Sequence, residues 1–248
     1  MAKNKVYPIP PITEAVVEFR FEDRQSASSL ETLNSKFAKF YENEQRLTNQ
    51  TVTVEIAEDK IQTESNMFFR RSNAAEDQIC MLFNDKIAIS QLAVYPGWDI
   101  FFARLSRDWA VCRKFWGYRK LTRIGMRFIN RIDVPEKDEV CTYEEFLNVH
   151  IALPSFLDPS DNYALRVEKK FNDPISKVII NSAPIASPFP NCGAFLLDLD
   201  LGCTEELPQK DELIFDLLTK MRHLKNSIFE ASITNKTRER LDDGIWLQ

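Results

Sequence analysis

Between residues 51 and 95 the chain reads as four β-segments, at about 51–57, 60–71, 78–84 and 86–95. They are joined by "DK" at 59–60, "SNAAED" at 72–77 and "ND" at 84–85, whose Asn, Asp and Ser residues supply turn chemistry. Linkers this short exclude parallel pairing between successive strands, which needs a crossover of a dozen or more residues. The stretch is therefore an antiparallel meander, and the rest of the chain must fold around it.

The flanking segments switch period. In "ITEAVVEFRFE" (12–22), Ala15, Val17, Phe19 and Phe21 alternate with Glu14, Val16, Glu18 and Arg20, the pattern of a half-buried strand. A helix is predicted over 28–44, where Ser28 and Glu31 form a capping box and Leu30, Leu33, Phe37 and Tyr41 share a face. Pro96-Gly97 stops the meander, and Trp98, Phe101, Phe102, Leu105, Trp109, Cys112 and Trp116 mark a helix over 98–117, with Gly117 at its end. The order then restarts: a strand at 121–134, a short helix at 142–149, strands at 161–171, 175–184 and 193–202, and a helix over 209–231. Ile214, Leu217, Met221, Leu224 and Ile228 give that last helix its apolar stripe. This order predicts an α+β fold, a curved antiparallel sheet with helices on one face. Its repetition predicts two pseudo-repeated halves, 1–118 and 119–248, in one compact unit. The element order is like that of TATA-binding-protein or helix-grip halves.

Within "LTRIGMRFINRIDVP" (121–135), Ile124, Met126, Phe128, Ile132 and Val134 fall on one face, and Arg123, Arg127 and Arg131 on the other. If strands 12–22 and 121–134 meet antiparallel, Glu14 and Glu18 face those guanidiniums, and Asp198 and Asp200 offer a second acidic pair. Same-face residues four apart lie roughly 13 Å from each other, so acids and bases interleave as cross-strand pairs. The alternative is a surface for phosphates or acidic segments, which arginine grips through paired hydrogen bonds.

Chemistry-bearing motifs are scarce. With six glycines in 248 residues, neither GxGxxG nor GxxxxGK[ST] appears, and GxSxG is absent. The two histidines, His150 and His223, lie outside ligand spacing of any cysteine, so no metal, cofactor or catalytic residue is assigned. The five cysteines are scattered without CxxC, which fits reduced thiols in the cytoplasm. No signal peptide or membrane span is expected. A net charge of −5 gives no global attraction to nucleic acid and leaves room for a local basic patch. The tail carries Ile245, Trp246 and Leu247 after a charged run, a candidate partner-docking element.

Three segments, "YPIPPITEAVVEFRF" (7–21), "RIGMRFINRIDVP" (123–135) and "HLKNSIFEASIT" (223–234), resemble signature stretches of a sporadically distributed, uncharacterised prokaryotic family. Its N-terminal Y-P-x-x-P-I-x-E-A is met by Tyr7, Pro8, Pro11, Ile12, Glu14 and Ala15. Its central G-[LM]-R-[FY]-[IV]-N-R is met by Gly125 to Arg131. The resemblance implies no catalytic residues; a patchy distribution implies a defence-associated locus. Asn130, on the apolar side of its strand, needs a hydrogen-bond partner if buried. Together these readings predict a non-enzymatic accessory subunit acting through contact with another protein subunit. The alternatives are a nucleic-acid-binding module using the arginine face and a metal-dependent nuclease using Asp198 and Asp200.

Overall fold

The computed structural model describes residues 5–55, 60–135, 143–151, 154 and 163–244, with the backbone alone for 51–64. In chain order the elements are β1 (Ile12–Phe21), α1 (Ala27–Phe37), β2 (Asn43–Glu55), β3 (Lys60–Ser72), β4 (Gln78–Leu82), β5 (Lys86–Leu92) and α2 (Trp98–Trp116). There follow β6 (Leu121–Pro135), a 3₁₀ turn (Tyr143–Glu145), β7 (Leu165–Asn172), β8 (Ile175–Ala186), β9 (Cys192–Cys203), α3 (Asp211–Ser232) and α4 (Asn235–Asp243). The fold is α+β. Its strands form one antiparallel sheet in the order β2-β3-β4-β5-β1-β6-β9-β8-β7, not closed into a barrel. The chain divides into two compact units. The smaller draws on Val16–Leu92 and Pro96–Arg123, the larger on Met1–Ala15, Ala93–Tyr95 and Ile124–Gln248.

In the smaller unit the meander runs as the short linkers require. β2 pairs with β3 from Asn43↔Ser72 to Glu55↔Lys60. The strand thus begins well before residue 51, because ladder pairing rather than apolar alternation holds the polar run "NEQRLTNQ" extended. Helix α1 is correspondingly shorter than its apolar spacing predicts and ends at Phe37. Its N-cap is Ser26 rather than Ser28; the Ser26 hydroxyl accepts from the Ser29 N–H at 3.2 Å. Helix α2 buries Trp98, Phe101, Leu105, Trp109 and Cys112, and two charged residues, Arg104 and Asp108, share that stripe. The Trp109 ring lies 4.5 Å from Phe19. Gly97 and Gly117 flank the helix with φ of +98° and +70°, a region closed to most side chains.

In the larger unit β6 pairs with β9 from Ile124↔Cys203 to Pro135↔Cys192, and β9 pairs in turn with β8. Leu197, Leu199 and Leu201 are fully buried. Asn130, also buried, donates to the Leu197 carbonyl at 2.9 Å, the partner its position demands. Helix α3 buries Ile214, Leu218, Met221, Ile228 and Phe229; Leu218 and Lys225 take the core-facing places expected for Leu217 and Leu224, which are half-buried. The helix predicted at 142–149 is only the 3₁₀ turn: Leu147 bridges Ile233, and the Asn148 N–H donates to the Ser232 carbonyl at 2.8 Å. Helix α4 was not predicted, because "NKTRERLDD" buries only Thr237 and Leu241. No helix among the described residues is long and apolar enough to cross a membrane.

Candidate functional site

The three arginines of β6 take three different partners. Arg123 Nη1 donates to Glu18 Oε1 at 2.9 Å, and Glu18 also accepts from Lys86 at 3.0 Å and Arg20 at 3.3 Å. Burial pushes the Glu18 carboxyl upward, but the Lys86 hydrogen bond and the charges of Lys86, Arg20 and Arg123 outweigh it and hold the group below its usual range. Arg127 grips Asp198 through Nε at 2.8 Å and Nη2 at 2.9 Å, and Asn181 donates to the same carboxylate at 2.9 Å. Asp200 pairs with Arg127 in the ladder, and the fields of Asp200 and Glu14 add to the Asp198 hydrogen bonds that hold the Arg127 proton more firmly than usual. Arg131 donates to Asp133 at 3.0 Å, which accepts Ser187 Oγ at 2.8 Å. Each guanidinium of the row therefore meets a carboxylate.

A second polar cluster lies inside the smaller unit. The Tyr41 hydroxyl donates to Asp108 Oδ2, and Arg107 Nε donates to Asp108 Oδ1 at 2.9 Å. Arg104 donates to the Tyr41 oxygen at 3.1 Å and to the Ser90 carbonyl at 2.8 Å. Asp108 is fully buried. Burial pushes its carboxyl upward, opposed by Arg107, Tyr41 and Arg104. Cys80 and Cys112 lie nearby, their thiols pushed up by burial and by the Asp108 charge, the opposite of what a reactive thiolate needs. These groups tie the segment after α1 to α2 and to β5.

A groove of about 420 Å³ lies between α1 and α2 in this unit. Arg107, Ala110, Val111, Lys114 and Phe115 line it from α2, at steps of three and four residues that share one helix face. Ser35, Lys36 and Lys39 line it from the end of α1. Four cations thus border one groove, and no carboxylate does. Among the described residues Lys36, Lys39 and Lys114 have no ion-pair partner; they rest against aromatic rings instead. Lys36 and Lys114 lie 5.1 and 5.8 Å from the Phe115 centroid, and Lys39 and Arg107 lie 4.6 and 4.3 Å from that of Phe40. A basic last turn complements a helix dipole, which accounts for Lys36 and Lys114 singly. It does not account for four cations meeting at one groove. These residues were missed from the sequence because each helix taken alone shows only a charged outer face.

Among the described residues no group of three or more His, Cys, Asp or Glu is placed to hold a metal. Asp198, one of the two acids considered for a metal, is committed to Arg127 and Asn181. His150 Nδ1 lies 3.2 Å from the Leu147 carbonyl. Ile245, Trp246 and Leu247 fall outside the described residues. No family model matches this chain, and no curated protein matches it.

Proposed function

We propose that this chain is a non-enzymatic binding module whose ligand is polyanionic and sits in the groove between α1 and α2. The observation that carries this reading is Lys36, Lys39 and Lys114, without an ion-pair partner among the described residues, around one groove with no acid in its lining, in a chain of net charge −5; Arg107 also lines it but is bonded to Asp108. Such local basic excess in an acidic protein attracts anions where the molecule as a whole does not. The arginine face of β6 is the weaker candidate, since Glu18, Asp198 and Asp133 already occupy its guanidiniums. Strand addition by a partner at the sheet edges is also weaker. The edge strand β7 carries Arg166, Glu168, Lys169 and Lys170, charges of the kind that deter such pairing. The adjacent placement of β1 and β6 supports a duplicated scaffold behind the module, although β6 is followed by a 3₁₀ turn and three strands where β1 is followed by α1 and four.

Heparin-agarose chromatography tests this reading. The wild-type chain is expected to be retained at about 50 mM salt, and the Lys36→Glu, Lys114→Glu double variant to flow through. Passage of the wild-type chain, or equal retention of both, overturns it.

A further inference from the structure

Resting on the groove reading, we infer that the polyanion is a single-stranded nucleic acid, its phosphates on Lys36, Lys39 and Lys114 and a base stacked on Phe115. The lining is not only basic. Each cation lies over an aromatic ring, and Phe115, which lines the groove, is 43% exposed. Negative charge recruits the lysines, and a planar apolar group takes the ring face they now cover. A nucleotide joins both in one repeating unit, whereas an acidic peptide supplies charge without the plane. Duplex DNA fits poorly: duplexes are read by an element that enters the major groove, and here the cations line a concavity between two helices. The aromatic platform is sequence-tolerant, so the site binds strands without strong base preference.

Fluorescence anisotropy with a labelled 12-mer of deoxythymidine tests this, set beside an abasic 12-mer of the same charge, a 12-residue polyglutamate and deoxythymidine monophosphate. At about 0.7 per phosphate neutralised on a single strand, three contacts give a log–log salt slope of about −2.1. Lys36→Glu with Lys114→Glu is expected to weaken the thymidine 12-mer at least tenfold and to reduce the slope by about two thirds. Phe115→Ala is expected to weaken it about fivefold while leaving the abasic strand unchanged. Lys170→Glu, on the exposed β7 of the other unit and not among the groove's lining residues, is the control and is expected to leave binding unchanged. Equal affinity for abasic and base-bearing strands, or preference for polyglutamate, overturns the nucleic-acid inference while the polyanion reading stands. Monophosphate binding as tight as the 12-mer reassigns the groove to a free nucleotide and likewise overturns it. Loss of affinity in the Lys170 control equal to that in the groove variant overturns the site. Binding of none of the four probes at low salt overturns this inference together with the polyanion reading.

Discussion

Arg127 on β6 holds Asp198 on β9 with two parallel hydrogen bonds, of 2.8 and 2.9 Å. The acid is 2% exposed, while the arginine keeps nearly half its side chain in solvent, at 48%. The pair is therefore lopsided: its value lies in satisfying a buried carboxylate rather than in surface attraction. Arg127→Met is expected to destabilise the fold by about 1–2 kcal/mol, since Asn181 still donates to the orphaned Asp198. Arg127→Lys is expected to recover less than half of that, because an ammonium does not reproduce the two-pronged geometry. Urea unfolding of the three proteins measures both; a fully stable lysine variant would show that the second hydrogen bond contributes nothing.

Asp108 offers a harsher test. It is fully buried among Tyr41, Arg107 and Arg104. Removing its charge strands cationic donors in the interior, so Asp108→Ala is expected to cost about 3–5 kcal/mol. Tyr41→Phe removes one donor and keeps the ring packed on Phe37, for a loss of about 1–2 kcal/mol. The double variant should lose less than the sum, as coupled groups do. Strict additivity in thermal unfolding would mean the two side chains act independently.

Lys225 makes stability depend on alkaline pH. It is buried on the core stripe of α3, its Nζ 4.1 Å from the Phe128 ring centroid, with Arg222 opposing its charge and Glu230 favouring it. Burial, then Arg222, push its pKa from 10.5 down to about 7. The unfolded chain binds the extra proton between those values, so stability rises as pH climbs from about 7 to 10.5 and this contribution is flat below 7. Lys225→Met is expected to be more stable than wild type at pH 7, the gap closing as pH approaches 10.5. Chemical denaturation across that range decides it, and a gap constant with pH would refute the titration.

Glu18 acts at the other end of the scale. Its folded-state pKa lies below the ordinary 4.5, so its contribution is present above that pH and is lost as pH falls through the lower folded value. Glu18→Gln is therefore expected to be less stable than wild type at pH 7, with the two converging in acid. Parallel melting curves at pH 7 and in strong acid check the sign.

Much of this architecture was legible in the residues. The short linkers fixed antiparallel neighbours, the aromatic spacing from Trp98 to Trp116 placed α2, and the alternation around Arg127 placed β6 with its arginines on one face. These signals are local, and local periodicity survives any tertiary arrangement that keeps the apolar face buried. Where the pattern was weak, the prediction failed. "NEQRLTNQ" carries no apolar alternation and is strand only because β3 pairs with it, and α4 has too little core contact to show a stripe.

Partner choice was legible only in part. Two of the three pairs were within reach of the sequence, since Glu18 and Asp198, both expected as acidic partners, take Arg123 and Arg127, whereas Asp133 on β6 itself takes Arg131 and was not anticipated, because side-chain reach decides pairing at the level of single ångströms. The basic groove is likewise a tertiary product. Lys36 and Lys114 are 78 positions apart in the chain, each an ordinary helix-surface residue, and they become a site only when α1 packs beside α2. The sequence by itself determined which segments form strands and helices and which faces they bury; which charges meet, and which are left without an acid to neutralise them, was decided only by packing, since Coulomb energy depends on distance in space and not along the chain.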